Sequence, residues 1–463
     1  MIASLLACSG PTIEAPPRRP DVMLVVLDTV RADRLSAYGH DRPTSLQLEA
    51  IAAAGVRFVD VTAPAPWTWP SHASLFTGLH PWEHGAHWAD DPARMIEFAQ
   101  GDDGWQLAPM RADVPTLAER FGAAGYRTHA LSANCLLHPD LGLMRGFSEA
   151  SCAKNDAEIV ASARAVLGAA DEQPLLLFVN LLSAHGPYLV APEVPFSAQH
   201  TAAFSPGGLD WAAPYLEPSA PGLNLQRYPD ESGLNGEMAY ASGALEIPAA
   251  DLPAIADLYD GDLVRLDHAL KVLVEAWNSG GHGGGILAVT SDHGELLGAH
   301  RRIGHGGDVL EELLQVPLVI AAPGRVEAGS TVEAPVGLHR LGATLLSLAG
   351  VDPGGLPGAS LLSGEAGPVY AGVWGLPYWG ERVDPRFAVS RRYVRDAGYT
   401  ALMAEGEAAV VRGAAGVVDD PVVIDRFTAL LAPTFDETLP EMSSPTVSEN
   451  TAELLEALGY VEH

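Results

Sequence analysis

The stretch Pro66-Trp67-Thr68-Trp69-Pro70-Ser71-His72-Ala73-Ser74-Leu75-Phe76-Thr77-Gly78 carries residue types suited to anion chemistry. Pro70 suits the first turn of a helix, where a missing N–H costs nothing, and Gly78 suits the position just past its end. Thr68 and Trp69 then lie at the helix mouth. Free N–H groups and the positive end of the dipole favour a phosphate or sulfate there. The Thr68 hydroxyl is also a candidate nucleophile, once a base or a metal removes its proton. Taken alone, the stretch reads as a Thr N-cap on a core helix. Elsewhere the chain offers the missing metal. Ser291-Asp292-His293-Gly294-Glu295 places Asp and His side by side where the chain turns, so both can ligate one ion. His300 and His305 follow closely, and three histidines with a carboxylate exceed what solvation needs. Asp28 and His185 each follow a long apolar run.

The elements that must position these residues are legible as apolar runs. Val22 to Leu27, Leu175 to Leu182 and Ile286 to Thr290 read as strands buried on both faces, as in a parallel sheet. Tyr126 to Ser132, ending near Asn134, and Val316 to Ala322 add two more. Asp28, His185 and Asp292 follow strand carboxyl ends, where α/β folds place ligand groups. Helices are expected over Ser45 to Ala54, Val114 to Gly122, Asp156 to Ala169, Leu258 to Trp277 and Leu338 to Leu348. Residues 88–111 read as a surface insertion. Residues 191–249, rich in Pro, Gly, Ser and Ala, read as a lid or binding wall. His282, in a Gly-rich turn, is expected to be solvated. The alternation predicts an α/β class: a mostly parallel central sheet sandwiched by helices, with a smaller C-terminal α+β unit closed by a helix from Glu449 to Leu458. The expected divisions are 1–20, 21–362 and 363–463.

With 463 residues, 48% hydrophobic and 18% charged, the chain has a globular composition. Its net charge of −31 argues against a nucleic-acid partner. Lys154 and Lys271 are its lysines, so no site can rest on several of them. Leu5-Leu6-Ala7-Cys8 resembles a lipoprotein cleavage box, although the basic start is missing and the apolar run is short. Residues 1–20 then read as a signal remnant and Pro-rich tether, with a lipid anchor at Cys8. This points to an exported, periplasmic or membrane-anchored protein; without it the chain is cytoplasmic. No stretch is long and apolar enough for a transmembrane helix. Cys135 and Cys152 pair as a disulfide if the protein is exported, and are otherwise buried thiols.

Together the motifs resemble the sulfatase family of the alkaline phosphatase superfamily. The likeness covers Val22 to about Gly350, with a family-like ending at Leu455-Glu456-Ala457-Leu458-Gly459-Tyr460-Val461. Its text is Leu27-Asp28-Thr29-Val30-Arg31-Ala32-Asp33, then Thr68-x-Pro70-x-His72 with Thr77-Gly78-Leu79-x-Pro81 and His84-Gly85. His185-Gly186-Pro187-Tyr188, Ser291-Asp292-His293-Gly294-Glu295 and Val316-Pro317-Leu318 follow. The resemblance implies that Asp28, Asp292 and His293 hold one divalent ion with the Thr68 hydroxyl, whose pKa the ion lowers. It implies that His305 grips the oxyanion and that His185 protonates the leaving-group oxygen. Because His293 adds nitrogen to an oxygen set, Zn²⁺ or Mn²⁺ is favoured over Ca²⁺ or Mg²⁺.

The departures from the family are informative. Sulfatases proper carry Cys or Ser at the position of Thr68, converted to formylglycine, and Arg at that of His72. Thr cannot be converted. Thr29 replaces the second Asp of the usual pair. The Thr-x-Pro-x-His form also resembles nucleotide pyrophosphatase/phosphodiesterases, which use an unmodified Thr. Those enzymes bind a second metal through an Asp before a His, and residues 180–184 here hold none. The resulting expectation is a metal-dependent hydrolase of small anionic esters, phosphate or sulfate, with phosphate preferred and a covalent intermediate on Thr68. His72 and His305, which change charge near neutral pH, accommodate the transferred group, including a diester. The alternatives are an arylsulfatase-like sulfuric ester hydrolase and a non-catalytic anion-binding protein.

Overall fold

The computed structural model describes residues 18–89, 96, 107–153, 155–227, 234–436, 445, 447–448 and 450–451. Eight strands form the central sheet: β1 (Val22–Leu27), β2 (Val56–Phe58), β3 (Arg127–Ser132), β4 (Glu149–Cys152), β5 (Leu175–Leu181), β6 (Ile286–Thr290), β7 (Leu318–Ala321) and β8 (Ser330–Val332). Their order is β8-β2-β7-β6-β1-β5-β3-β4. All neighbours run parallel except β7, which is antiparallel to both β6 and β2. The mostly parallel sandwich expected from the apolar runs is therefore present, with one reversed strand.

Every residue of β1 is buried, and its side chains alternate between two cores. Leu24 and Val26 pack with Trp69, Phe76 and Leu345 on one face, while Met23, Val25 and Leu27 pack with Ile159, Leu258 and Leu270 on the other. The first face is covered by α2 (Thr68–Thr77), α3 (Leu117–Ala123) and α6 (Leu341–Ala349); the second by α1 (Leu46–Ala54), α4 (Asp156–Gly168) and α5 (Leu252–Ser279). In α5, Leu258, Leu266, Leu270, Leu273 and Trp277 recur at helical spacing and are buried. Each such leucine contributes about 1.5–3 kcal/mol.

Within residues 191–249, Phe204, Tyr215 and Leu223 are buried and Gly236–Ser242 is a short helix. Beyond them, β9 (Val369–Val373), β10 (Arg391–Asp396), β11 (Tyr399–Ala404), β12 (Val410–Gly413) and β13 (Gly416–Val417) form a separate antiparallel sheet. Helix α7 (Pro421–Leu431) seats Phe427 and Leu431 against Val394, Ala401 and Val411 of that sheet. Cys8, most of residues 90–106 and most of the helix expected at Glu449 to Leu458 lie outside the described residues. Among the described residues no helix is long and apolar enough to cross a membrane.

Two expectations are corrected. His282 is buried, not solvated. Its Nδ1 lies 2.8 Å from Asp21 Oδ2 and its Nε2 lies 3.1 Å from the Leu167 carbonyl, because the Gly-rich turn folds back beneath β1. The ends of the supposed surface insertion are also interior. Leu107 and Ala108 are fully buried, and Trp88 stacks on Trp67 with centroids 4.0 Å apart. Cys135 and Cys152 are disulfide-bonded, joining the segment after β3 to the end of β4.

Candidate active site

Helix α2 runs over Thr68–Thr77 and is capped by Gly78, whose φ of 73° is the left-handed conformation that glycine adopts freely. Trp67, not Thr68, is the N-cap, so Thr68 is the first helical residue and its side chain is free for chemistry. Its Oγ1 lies 3.4 Å from His293 Nε2 and 3.3 Å from the Asn134 amide nitrogen.

Asp28 leaves the end of β1, and Asp292 and His293 leave the end of adjacent β6. All three are buried, and one ligand atom from each lies within 4.8 Å of the others. Each carboxylate has one oxygen held by the protein and one without a partner. Asp28 Oδ2 accepts from Asn134 Nδ2 at 3.0 Å and Asn180 Nδ2 at 3.2 Å. Asp292 Oδ1 accepts from the N–H groups of Thr29 at 3.2 Å and His293 at 3.0 Å. Asp28 Oδ1 and Asp292 Oδ2 are buried without a hydrogen-bond partner. They lie 3.9 Å and 3.3 Å from His293 Nε2. Nδ1–H of His293 donates to the Gly294 carbonyl at 2.9 Å, which leaves Nε2 with its lone pair. Two orphaned carboxylate oxygens and an imidazole lone pair at one buried point are a donor set that fits a divalent cation. Burial, reinforced by the Asp28 charge, pushes Asp292 well above the usual carboxylate range, and burial pushes His293 well below that of histidine.

Thr29, in place of a second Asp, takes part through its backbone. Its hydroxyl donates to the Asp28 carbonyl, and its φ of 60° turns its N–H onto Asp292. That conformation costs on the order of 1–3 kcal/mol for a non-glycine residue. Tyr259 holds it, donating to the Thr29 carbonyl at 2.8 Å and accepting from Arg31 N–H at 3.0 Å.

His72 lies behind this cluster. Its Nδ1 is 3.0 Å from the Thr68 carbonyl and 3.4 Å from Asp292 Oδ2, and its ring packs against Phe76 and Phe178. Burial lowers its pKa. The ring meets Asp292 and the helix backbone through Nδ1, while its Nε2 is buried without a hydrogen-bond partner. His185 and His305 form the other wall. Their ring centroids are 5.0 Å apart, and that of His305 is 4.5 Å from His293. Burial lowers both pKa values. The His305 loop is tied to the Thr68 segment by the Gly306 N–H, which donates to the Pro66 carbonyl at 2.9 Å. His300 does not join the site; it is 3.3 Å from Glu312 and exposed. Two acids flank His305. Glu295 faces its Nδ1, and Glu237 lies against Gly304; burial raises each to about 8.

Sequence reasoning missed Asn134 and Asn180 as ligand holders. Both stand at the carboxyl ends of strands, the signal used for Asp28, but their apolar neighbours drew attention to packing instead.

A family model described as Sulfatase matches residues 20–351. The chain is 24% identical over 388 residues to the uncharacterized sulfatase YidJ of Escherichia coli, covering 75% of this chain and 71% of that protein. It is 31% identical to human arylsulfatase A over 111 residues, only 20% of that protein. Among solved structures, it resembles the phosphonate monoester hydrolase of Silicibacter pomeroyi at TM-score 0.64 and 19% identity, covering 89% of this chain and 94% of the other. It also resembles a protein solved in complex with its substrate D-glucosamine-2-N,6-O-disulfate, at TM-score 0.67 and 17% identity, covering 91% and 99%.

Proposed function

The chain belongs to the sulfatase family of hydrolases, and we propose that it cleaves small phosphate-type esters through a covalent intermediate on unmodified Thr68. The observation that carries this reading is the Thr68 hydroxyl standing 3.4 Å from His293 Nε2, beside the orphaned oxygens of Asp28 and Asp292. The family is metal-dependent, and Asp28, Asp292 and His293 would hold the ion with Thr68. A divalent cation there, Zn²⁺ or Mn²⁺ by its donor set, lowers the hydroxyl pKa and neutralises anionic charge.

As Thr68 Oγ attacks phosphorus it gives up its proton and the bond to the leaving oxygen breaks; His185 gives that oxygen a proton and takes up the one Thr68 has lost. Water then attacks phosphorus, the Oγ–P bond breaks, and the proton water loses passes by way of His185 to Thr68 Oγ. His305 stabilises the charge on the non-bridging oxygens. Aldehyde sulfatases release sulfate by collapse of a hydrate. A threonine ester has no such exit, so water must attack the transferred group in line, which suits phosphorus. Residues 21–362 form the catalytic unit in this reading, with 363–463 a smaller C-terminal unit. The Cys135–Cys152 bond supports export, with Cys8 as the lipid anchor.

The test compares kcat/KM for matched aryl phosphate, bis-aryl phosphate and aryl sulfate, with Thr68→Ala as control. The expected result is phosphate turnover ahead of sulfate, falling at least a thousandfold in Thr68→Ala. Sulfate ahead of both phosphates overturns the preference. Activity surviving in Thr68→Ala overturns the nucleophile.

A further inference from the structure

We propose that Glu295 is the positioning residue that fixes the tautomer and orientation of His305, so that His305 presents Nε2 to the transferred anion. The inference rests on the reading of His305 given above. The two Glu295 oxygens lie 3.3 Å and 3.4 Å from His305 Nδ1, a bifurcated contact that one N–H can satisfy. Glu295 is 1% exposed. A buried carboxyl group needs a hydrogen-bond partner, and His305 supplies one. The opposite edge of the same ring, carrying Nε2, is then free for an acceptor on the substrate.

The chain delivers Glu295 to this place by a local device. His293 and Glu295 are two residues apart, and the chain between them is pinned. Gly294 N–H donates to the Leu313 carbonyl at 2.8 Å. A Cβ on Gly294 would stand 2.1 Å from the Glu312 carbonyl oxygen, so only glycine allows that approach. The Arg31 guanidinium donates to the Glu295 carbonyl at 3.0 Å and anchors its backbone. The His305 loop has a further anchor of its own. Arg302, itself buried, donates to the Gly306 carbonyl at 2.7 Å and lies over the Phe387 ring. Glu295 and His305 are thus presented to each other across a two-stranded antiparallel ladder, in which Leu296 pairs with Gly304 and Leu297 with Ile303. Among the described residues the site has no lysine to grip the anion, because Lys271 lies near Glu275 on α5. A neutral imidazole can replace such a lysine only when its donor is aimed. Outer partners of this kind are worth on the order of 10–100-fold in activity.

The experiment has two arms. In the first, ¹⁵N-histidine NMR of the full chain reads the His305 tautomer, assigned by the signal lost in His305→Ala. The parent should show Nδ1 protonated. Glu295→Gln should keep that tautomer, since its amide oxygen still accepts, and Glu295→Ala should lose it. A parent protonated on Nε2 alone, or an unchanged tautomer in Glu295→Ala, overturns the proposal. In the second arm, kcat/KM is measured on whichever ester the parent turns over. Glu295→Ala should fall on the order of 10–100-fold, with Glu295→Gln recovering most of it. Adding Glu295→Ala to His305→Ala should cost less than about twofold more, because coupled residues do not add. Additive losses overturn it. The first arm needs no substrate, so its outcome is separate from that of the phosphate preference.

Discussion

Thr68 and His293, 225 positions apart in the chain, meet with Oγ1 and Nε2 3.4 Å apart. One belongs to the first turn of a helix and the other to the end of a central strand. Neither group is a reactive nucleophile or a metal site alone. Between them stand the free oxygens of Asp28 and Asp292, and those four side chains turn a hydroxyl into a candidate nucleophile.

Metal content should follow this cluster. Purified parent protein should carry about one equivalent of divalent ion, and Asp292→Asn and His293→Ala should carry almost none by elemental analysis. Thr68→Ala, which keeps three protein donors, should retain most of it. Chelation should lower Tm as well as activity, since a ligand at a hundred times its Kd stabilises by about 2.7 kcal/mol. Full metal binding by both variants would remove the assignment.

Cys135 and Cys152 close a loop of sequence separation 17. A loop of that size contributes about 3 kcal/mol through loss of chain entropy in the unfolded state. Cys152→Ser should therefore lower the denaturant midpoint by a corresponding amount under oxidising conditions, and should match the parent in reductant. Mass spectrometry after alkylation gives the direct check. Two freely alkylated thiols in protein from an oxidising compartment would contradict the bond.

Burial raises Glu237 to about 8, from an ordinary value of 4.5. Between those pH values the folded chain keeps a proton that the unfolded chain has released. The contribution therefore favours folding below about pH 4.5 and is lost as pH rises through 8. Glu237→Gln carries no such dependence. Its stability relative to the parent should improve from pH 5 to pH 8.5, read by denaturant midpoints in the metal-loaded protein. Parallel curves for the two proteins would refute it.

Much of this molecule was legible before any coordinate. Continuous apolar runs identify β1, β5 and β6 because a strand buried on both faces has no polar positions to offer. Pro70 and Gly78 mark α2 because each fits one end of a helix and little else. Asp28, Thr68, His185, Asp292, His293 and His305 stand out as polar residues at the ends of such elements. These are local signals, carried by neighbours in the chain.

What only the tertiary structure decided are relations between distant segments. Thr29 acts through an N–H turned toward Asp292, and its side-chain type says nothing of that. Asn134 and Asn180 converge on one oxygen of Asp28 because β5 lies beside β1, and β3 beside β5, in the sheet order. His282 is buried because the Gly-rich turn folds back beneath β1 and brings it to Asp21, 261 positions earlier. The reversal of β7 is likewise invisible in its apolar run, since burial on both faces suits either direction. Composition and period report whether a residue is buried; which polar group it meets there depends on the strand order, and strand order is a property of the whole chain.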